Sequence, residues 1–200
     1  MVGMNAKSQE TPDIVVVADC HAWRAWLDQH EHTSDGAWLL LAKKGIRSPT
    51  SLTYAEALDE ALCSGWIDGQ RKAHDEVTFR QRFTPRRSRS VWSQRNVEHV
   101  ARLIAQGRMR PRGQAEIDRA QADGRWDRAY AGAATATVPD DLAAALAAVP
   151  GARARFDALN GQDRYAILHR LMTAATEATR ARRLERLLAT LLDADDLVGR

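Results

Sequence analysis

The chain has 200 residues, of which 44% are hydrophobic and 28% are charged, and its formal net charge is +3. This composition is typical of a globular protein with one core, or with a core and a small helical unit, and excludes fibrous and disordered chains. No apolar run approaches the roughly 18 residues that a membrane-spanning helix needs, and no apolar segment follows Met1. We therefore expect a cytoplasmic protein in which Cys20 and Cys63 are free thiols.

The charge is unevenly distributed along the chain. Residues 71–112 contain 12 basic and 3 acidic side chains, whereas residues 1–70 contain 5 basic and 10 acidic ones. A concentrated cationic region suits phosphates, nucleic acid or an acidic partner. The alternative is that these arginines pair with the acidic first third of the same chain. The sequence leaves both interpretations open.

Ordered structure is predicted to begin near Ile14. Residues 1–13 are polar and show no periodicity, which predicts a flexible tail. Asp19 is placed to cap a helix in which Trp23 and Trp26 recur at helical spacing. These tryptophans are predicted to be core anchors rather than ligand contacts.

A strand, a helix and a second strand follow. Residues 37–42, AWLLLA, are typical of a strand covered on both faces. Thr53 and Glu56 have the spacing of a capping box, and Gly65 is available to end the helix that they begin. A strand starting at Trp66 would then run parallel to the first strand after a right-handed crossover.

The next element is predicted to be a hairpin in which residues 66–74 pair with residues 78–84. The preferred register places apolar side chains on one face: Ile67, Gly69, Ala73, Phe79 and Phe83. The other face then carries Trp66, Asp68, Gln70 and Lys72 beside Thr78, Arg80, Arg82 and Thr84. In this register Asp68 and Arg82 are diagonal neighbours.

The rest of the chain is predicted to be helical. Ser90 is a good N-cap for a helix that ends at Gly107 and turns Val97, Val100, Leu103 and Ile104 inward. Another short helix is expected over residues 114–122. Residues 131–138 are typical of a linker, and three or four amphipathic helices follow from Asp140.

These elements predict an α+β fold. A small mixed β-sheet of about three strands, with one hairpin, packs with helices and precedes a C-terminal all-helical segment. The predicted domains are an N-terminal tail (residues 1–13), an α+β core (14–130), a linker (131–138) and a C-terminal helical domain (139–200).

The sequence contains no complete catalytic or metal-binding motif. Cys63 ends a helix near Asp59 and Glu60, where the helix dipole and both carboxylates disfavour a thiolate, so a buried structural cysteine is expected. Asp59, Glu60 and Asp68 could together bind a hard cation, but nearby arginines favour ion pairing instead. The histidines show no zinc-ligand spacing. We expect no metal and no cofactor.

The best supported site is one for an anion. A helix starting after Ser90 would present unpaired backbone amides, and guanidinium groups suit phosphate and carboxylate. The candidate binding residues are Arg82, Arg86, Arg87, Arg89, Ser90, Trp92 and Asn96. The supporting residues are Asp59, Cys63, Trp66 and Asp68, and Trp66 or Trp92 could supply a stacking face. The opposing interpretation is that Asp68, Asp59 or the C-terminal helices already neutralise these arginines.

Several motifs resemble one family. ALDEALCSGWIDGQ, RFTPRRSRSVWSQRN, IAQGRM, DGRWDRAY and VPDDLAAAL are similar to the YdeI/OmpD-associated, or bacteriocin-protection, family, over residues 22–192. The resemblance implies a bacterial cytoplasmic protein linked by family name to protection against bacteriocins or cationic antimicrobial peptides, without a defined catalytic mechanism. Ser64 departs from the family, in which an aromatic residue is more usual.

Three functions remain open. The preferred one is a non-enzymatic resistance protein that binds an anionic ligand or partner at a basic face. The second is an enzyme acting on a small anionic substrate, with Asp68 as acid or base and Arg82 and Arg86 as clamps. The third is nucleic-acid binding, for which the sequence offers arginines but no groove-entering motif. The oligomeric state is not predicted.

Overall fold

The computed structural model describes residues 14–193, so the predicted tail over residues 1–13 lies outside the described residues. The described part contains four strands and eight helices. In chain order they are β1 (Ile14–Val15), α1 (Cys20–His30), β2 (Ala37–Ala42), α2 (Tyr54–Cys63), β3 (Trp66–Ala73), β4 (Thr78–Pro85), α3 (Gln94–Ala105), α4 (Pro111–Ala122), α5 (Asp140–Ala148), α6 (Ala152–Ala158), α7 (Gly161–Met172) and α8 (Glu177–Asp193).

The chain divides into two compact units. Unit 1 comprises the described residues of Met1–Ser90 together with His99–Arg119, and unit 2 comprises Val91–Glu98 together with the described residues of Ala120–Arg200. Unit 1 holds the sheet, whereas unit 2 is helical. The division into four segments expected from the sequence stays a prediction.

Unit 1 is built on a mixed sheet with the strand order β1-β2-β4-β3. β1 runs parallel to β2, and β4 is antiparallel to both β2 and β3. β2 and β3 are therefore parallel to each other, as predicted, but β4 lies between them. The predicted α+β class is confirmed. The sheet has one strand more than expected because β1, two residues long, is too short to show a periodicity.

The hairpin register differs from the prediction at its open end. Asp68 lies opposite Phe83 and Lys72 lies opposite Arg80, so three residues of β3 advance against two of β4 between Asp68 and Arg71. The extra residue is a β-bulge. From the bulge back to Trp66, the side chains of β3 therefore lie on the opposite faces from those predicted, relative to the side chains of β4. Lys72 and Arg80 do share one, as predicted, but placing Asp68 on the face of Arg82 was wrong.

Buried Gln81 stabilises this bulge. Its side-chain amide donates to the carbonyl oxygens of Gly69 at 2.9 Å and Gln70 at 3.2 Å. These carbonyls belong to the irregular part of β3, where the ladder pairing is interrupted. A buried amide at this position therefore replaces the ladder bonds that the bulge removes.

The first two helices begin as the sequence predicts. Asp19 accepts a hydrogen bond from the Ala22 backbone at 2.9 Å, and Thr53 with Glu56 forms the capping box. Trp23 is fully buried and its indole N–H donates to the Ala57 carbonyl at 3.2 Å, which joins α1 to α2. All six residues of β2 are buried, so this strand is at the centre of the unit 1 core.

The helix predicted to start after Ser90 begins later. α3 starts at Gln94, and its N-cap is Ser93, whose hydroxyl accepts the Asn96 N–H at 3.1 Å. Ser90 instead accepts the Arg87 N–H at 3.0 Å and closes a turn. Either serine hydroxyl could accept a hydrogen bond from the backbone N–H three residues later, as an N-cap does. Only Ser93 has a helical residue at that position. Val100 and Leu103 are buried as predicted, whereas Ile104 is 44% exposed.

α4 starts at Pro111, three residues earlier than predicted. Proline suits the first helical position because that residue has no intrahelical acceptor for an N–H. A Cβ added to Gly113 would overlap the carbonyl oxygen of Cys63, so only glycine permits this approach to the end of α2.

Unit 2 contains α5, α6, α7 and α8 around a cluster of leucines and one phenylalanine. Its buried residues are Leu142, Leu146, Ala152, Phe156, Leu168, Leu171 and Leu191. Ala136 and Val138, from the segment predicted to be a linker, pack against this cluster. Within residues 14–193, none of the helices combines the length and the hydrophobicity that crossing a bilayer requires.

Candidate functional site

The carboxylates of α2 are engaged inside unit 1. Glu60 accepts from Arg108 at 2.7 Å and from Arg110 at 2.8 Å, and only 10% of its side chain is exposed. Arg110 also donates to the Glu60 backbone carbonyl at 2.8 Å. Asp59 is met by three basic side chains: Arg102 at 2.7 Å, His99 at 3.3 Å and Arg108 at 3.6 Å. The acidic charge of α2 is therefore neutralised by arginines that follow α3 or lie on it, not by those of residues 82–89.

Cys63 is buried beside these pairs. Its side chain is 1% exposed, and burial, helped by the negative charge of Glu60, raises the pKa of its thiol to about 11. A thiol with so high a pKa is protonated at neutral pH and is a poor nucleophile. The prediction that Cys63 is buried is thus confirmed.

Asp68 lies on the face of the sheet that α1 and α2 cover. The Tyr54 hydroxyl donates to its carboxylate at 2.7 Å, and its neighbour across the strands is Phe83, which contacts Trp23. Arg82 points to the second face, where its guanidinium lies against Gly36. The prediction that Asp68 and Arg82 are diagonal neighbours on one face is therefore wrong, and the bulge in β3 is the reason.

The two tryptophans predicted to offer a stacking face are buried. Trp66 has no exposed surface, and its ring forms a T-shaped contact with that of Trp26 at a centroid distance of 5.9 Å. Trp92 is 2% exposed, and its ring centroid is 4.9 Å from that of Trp126. These rings pack in their own units, as aromatic side chains with large apolar areas usually do. Neither presents a ring face to a ligand.

The arginines that follow β4 differ from one another. Arg86 is 6% exposed, and its backbone N–H donates to the Gly65 carbonyl at 3.0 Å. Arg87 and Arg89 are exposed on the turn that Ser90 closes. Within residues 14–193 neither of these two side chains has a hydrogen bond or an ion pair. The amides expected to bind an anion at the helix start are already used, since Gln94 donates to the Tyr130 carbonyl and Asn96 to Ser93.

Two further cations belong with Arg82 on the second face of the sheet. Lys72 and Arg80 are cross-strand partners there, and the Lys72 ammonium lies 4.8 Å from the centroid of the Trp38 ring. In β4, Arg80 and Arg82 alternate with the buried Phe79, Gln81 and Phe83, so the two-residue period of a strand places both arginines on one face. Lys72 and Arg80 are not among the predicted site residues, because both precede the run of arginines at residues 86–89.

Two family models match the chain. One, described as Domain of unknown function (DUF8412), matches residues 15–116, just over half of the chain. The chain belongs to the DUF8412 family. The second, described as Bacteriocin-protection, YdeI or OmpD-Associated, matches residues 135–193. No curated protein and no solved structure gives a significant match.

The resemblance to the bacteriocin-protection family that the sequence motifs suggested therefore holds for only part of the chain. It is confirmed for the C-terminal helices of this DUF8412 protein, whereas the α+β part matches a different model. The motifs ALDEALCSGWIDGQ and RFTPRRSRSVWSQRN both lie within the DUF8412 match. In the part of the chain that the structure describes, no group of three or more histidine, cysteine or acidic side chains is arranged to hold a metal ion.

Proposed function

We propose that this DUF8412 protein is a non-catalytic binding protein that takes an acidic protein or peptide on a basic surface of unit 1. We define the basic surface as Lys72, Arg80 and Arg82 of the sheet, with Arg87 and Arg89 of the following turn. Its C-terminal helices match the bacteriocin-protection model, which supports our proposal that this binding serves protection against bacteriocins.

The supporting observation is that the acidic groups expected to neutralise these arginines are used elsewhere. Asp59 and Glu60 bind arginines outside residues 82–89, and Asp68 accepts from Tyr54 on the other face of the sheet. Arg87 and Arg89 have no side-chain partner in residues 14–193. Guanidinium groups that lack an internal partner are available for carboxylates, which they bind through two parallel hydrogen bonds.

The sign of the charge also constrains how protection could operate. A surface of lysine and arginine repels a cationic peptide, so direct capture of such a peptide on this surface is unfavourable. An acidic partner has the complementary sign and approaches faster because of it. Protection through this surface therefore proceeds by engaging an anionic protein partner, rather than by sequestering a cationic toxin.

We do not propose the enzymatic alternative. It needs Asp68 as an acid or base facing a substrate that Arg82 and Arg86 clamp. The Tyr54 hydroxyl occupies the Asp68 carboxylate at 2.7 Å, Arg82 lies on the opposite face, and Arg86 is buried. The three groups do not converge on a common point.

Fluorescence anisotropy with a labelled oligoglutamate peptide tests the proposal. The triple variant Arg82→Gln, Arg87→Gln, Arg89→Gln is expected to bind at least about tenfold more weakly than the wild type, with a reduced dependence on salt. A control removes the same charge from exposed arginines elsewhere: Arg24→Gln, Arg153→Gln, Arg182→Gln. Equal losses in both triple variants would contradict the proposal. Tighter binding of single-stranded DNA than of oligoglutamate would favour the nucleic-acid alternative instead.

A further inference from the structure

A second basic site lies in unit 2, between α7 and α8. A pocket of about 500 Å³ is lined there by Ile167, Leu171 and Leu187 and by polar side chains. The polar lining consists of His169, Arg170, Thr173, Arg183, Arg186 and Thr190. Of the described residues that line it, none carries a carboxylate. A larger pocket of about 700 Å³ in the same unit is different, because its Arg180 is already paired with Asp141.

Helix geometry explains why the cations meet here. Arg183 and Arg186 are three residues apart on α8 and so lie on one helical face, and Arg170 is in the last turn of α7. Arg183 donates to the Arg170 carbonyl, and the Thr173 hydroxyl donates to the His169 carbonyl at 2.7 Å. Two carbonyls at the negative end of α7 are therefore already covered, which removes a repulsion that an anion would otherwise meet.

Two of the three guanidinium groups are uncommitted. The Arg170 and Arg186 side chains have no hydrogen bond and no ion pair in the part of the chain that the structure describes, and both are exposed. Three cations around one concavity repel each other unless a counter-charge enters it. The pocket therefore attracts an anion electrostatically. The leucine core of unit 2 does not need this attraction for its packing.

His169 lines this pocket, and its pKa depends on the charges there. Its ring and that of Tyr130 form a T-shaped contact at a centroid distance of 4.6 Å, and the Tyr165 ring lies at 5.9 Å. Burial, together with the positive charge of Arg183, lowers the pKa of His169 below its ordinary value of 6.5. The charged group that faces it is thus a cation, and an anion bound beside Arg183 would reverse the shift.

We propose that the pocket between α7 and α8 binds a phosphate monoester. Arginine forks match phosphate oxygens, and a dianion satisfies several guanidinium groups at once. The apolar wall formed by Ile167, Leu171 and Leu187 receives the organic part of the ligand. The volume lies within the range of roughly 300–1,000 Å³ typical of small-molecule sites, and exceeds what a bare phosphate ion needs. This site is independent of the basic surface of unit 1.

Titration with phenyl phosphate tests the assignment, since the probe combines an apolar ring with a phosphate. In calorimetry, Arg170→Gln and Arg186→Gln are each expected to weaken binding by about tenfold. Arg182→Gln is the matched control, because Arg182 is exposed on the same helix and does not line the pocket. Its affinity should stay within about twofold of the wild type. In NMR, phenyl phosphate should raise the pKa of His169.

Three outcomes overturn the proposal. One is an Arg182→Gln loss as large as that of Arg186→Gln, which would indicate non-specific attraction. The second is benzoate binding as tightly as phenyl phosphate, which would contradict a phosphate site. The third is no response of the His169 resonances to any probe. The triple variant of unit 1 should bind phenyl phosphate normally, so failure here is distinguishable from failure of the acidic-partner proposal.

Discussion

The two units use charged side chains in opposite ways. In unit 1, the Glu60 side chain is 10% exposed and binds two arginines. In unit 2, the Asp141 side chain is 43% exposed and, among the described residues, its one ion-pair partner is Arg180. A buried carboxylate must be paired because its lost hydration is costly, but an exposed pair competes with water and contributes little. Charge is therefore structural in α2, while unit 2 depends mainly on apolar packing.

The cores of the two units also differ, in the size of their buried side chains. Unit 1 buries the large rings of Trp23, Trp66 and Phe83 around its sheet. Among the described residues, the core cluster of unit 2 consists of leucines and alanine with one buried aromatic residue, Phe156. Few large side chains hold α5 to α8 together, so each contributes a large share. Substitutions in the two units should accordingly differ both in size and in cause.

The largest effect is expected from Phe156→Ala in unit 2. Removing a buried phenyl ring loses apolar contact and leaves a cavity, which destabilises by about 4 kcal/mol. Hydrogen exchange should rise sharply over α5 to α8 and stay unchanged in α2, if the two units unfold separately. Leu192→Ala is the control, because Leu192 is 41% exposed. Equal loss of protection in both units would contradict the predicted division into domains.

The second-largest effect is expected from Glu60→Gln in unit 1, and its cause is electrostatic. Glu60→Gln leaves Arg108 and Arg110 without their shared carboxylate, and breaking a buried ion pair in this way costs about 3 kcal/mol. Urea denaturation measures the loss. Glu76→Gln removes the same charge from an exposed hairpin residue and should change stability by less than about 0.5 kcal/mol. Similar losses in the two variants would mean that the Glu60 pairs are not structural.

The sequence predicts this fold well where the signal is local. The capping box at Thr53 and the cap at Asp19 each depend on residues within three positions, and both are present. The bulge in β3 was not predictable, because it depends on Gln81 reaching carbonyls 11 and 12 residues away. One extra residue in the strand was enough to move Asp68 to the other face of the sheet.

The site was harder to predict than the fold. The sequence identifies a cationic middle third but not which arginines are neutralised, since Arg108 and Arg110 reach back about 50 residues to Glu60. Ser90 and Ser93 have the same side chain, and tertiary contacts such as the Gln94 bond to Tyr130 decide which one begins the helix. The pocket of unit 2 gives no motif, because its arginines come from two helices whose approach the sequence does not specify.

The smallest effect is expected from Asp141→Asn, in unit 2. Hydrogen bonding to Arg180, at 2.6 Å from its Nε, holds the pKa of Asp141 below the ordinary value of 3.8. Because this pKa is lower in the folded state, the stabilisation is complete above pH 3.8 and is lost as the pH falls through the folded-state value. At pH 7, Asp141→Asn should cost only about 0.5 kcal/mol, as is usual for a partly exposed pair.

Urea denaturation of the wild type and Asp141→Asn between pH 7 and pH 2.5 checks this prediction. The two stability curves should run parallel above pH 5 and converge in acid, since the protonated wild-type carboxyl no longer differs in charge from the amide. Asp140→Asn is the matched control, because it removes the same charge from the same turn of α5, and in residues 14–193 it has no guanidinium partner. A gap between wild type and Asp141→Asn that persists unchanged at pH 2.5 would show that the loss of stability does not come from the carboxylate charge that pairs with Arg180. In that case unit 2 would not depend on this charge pair at all, and the difference between the units would be larger than we infer.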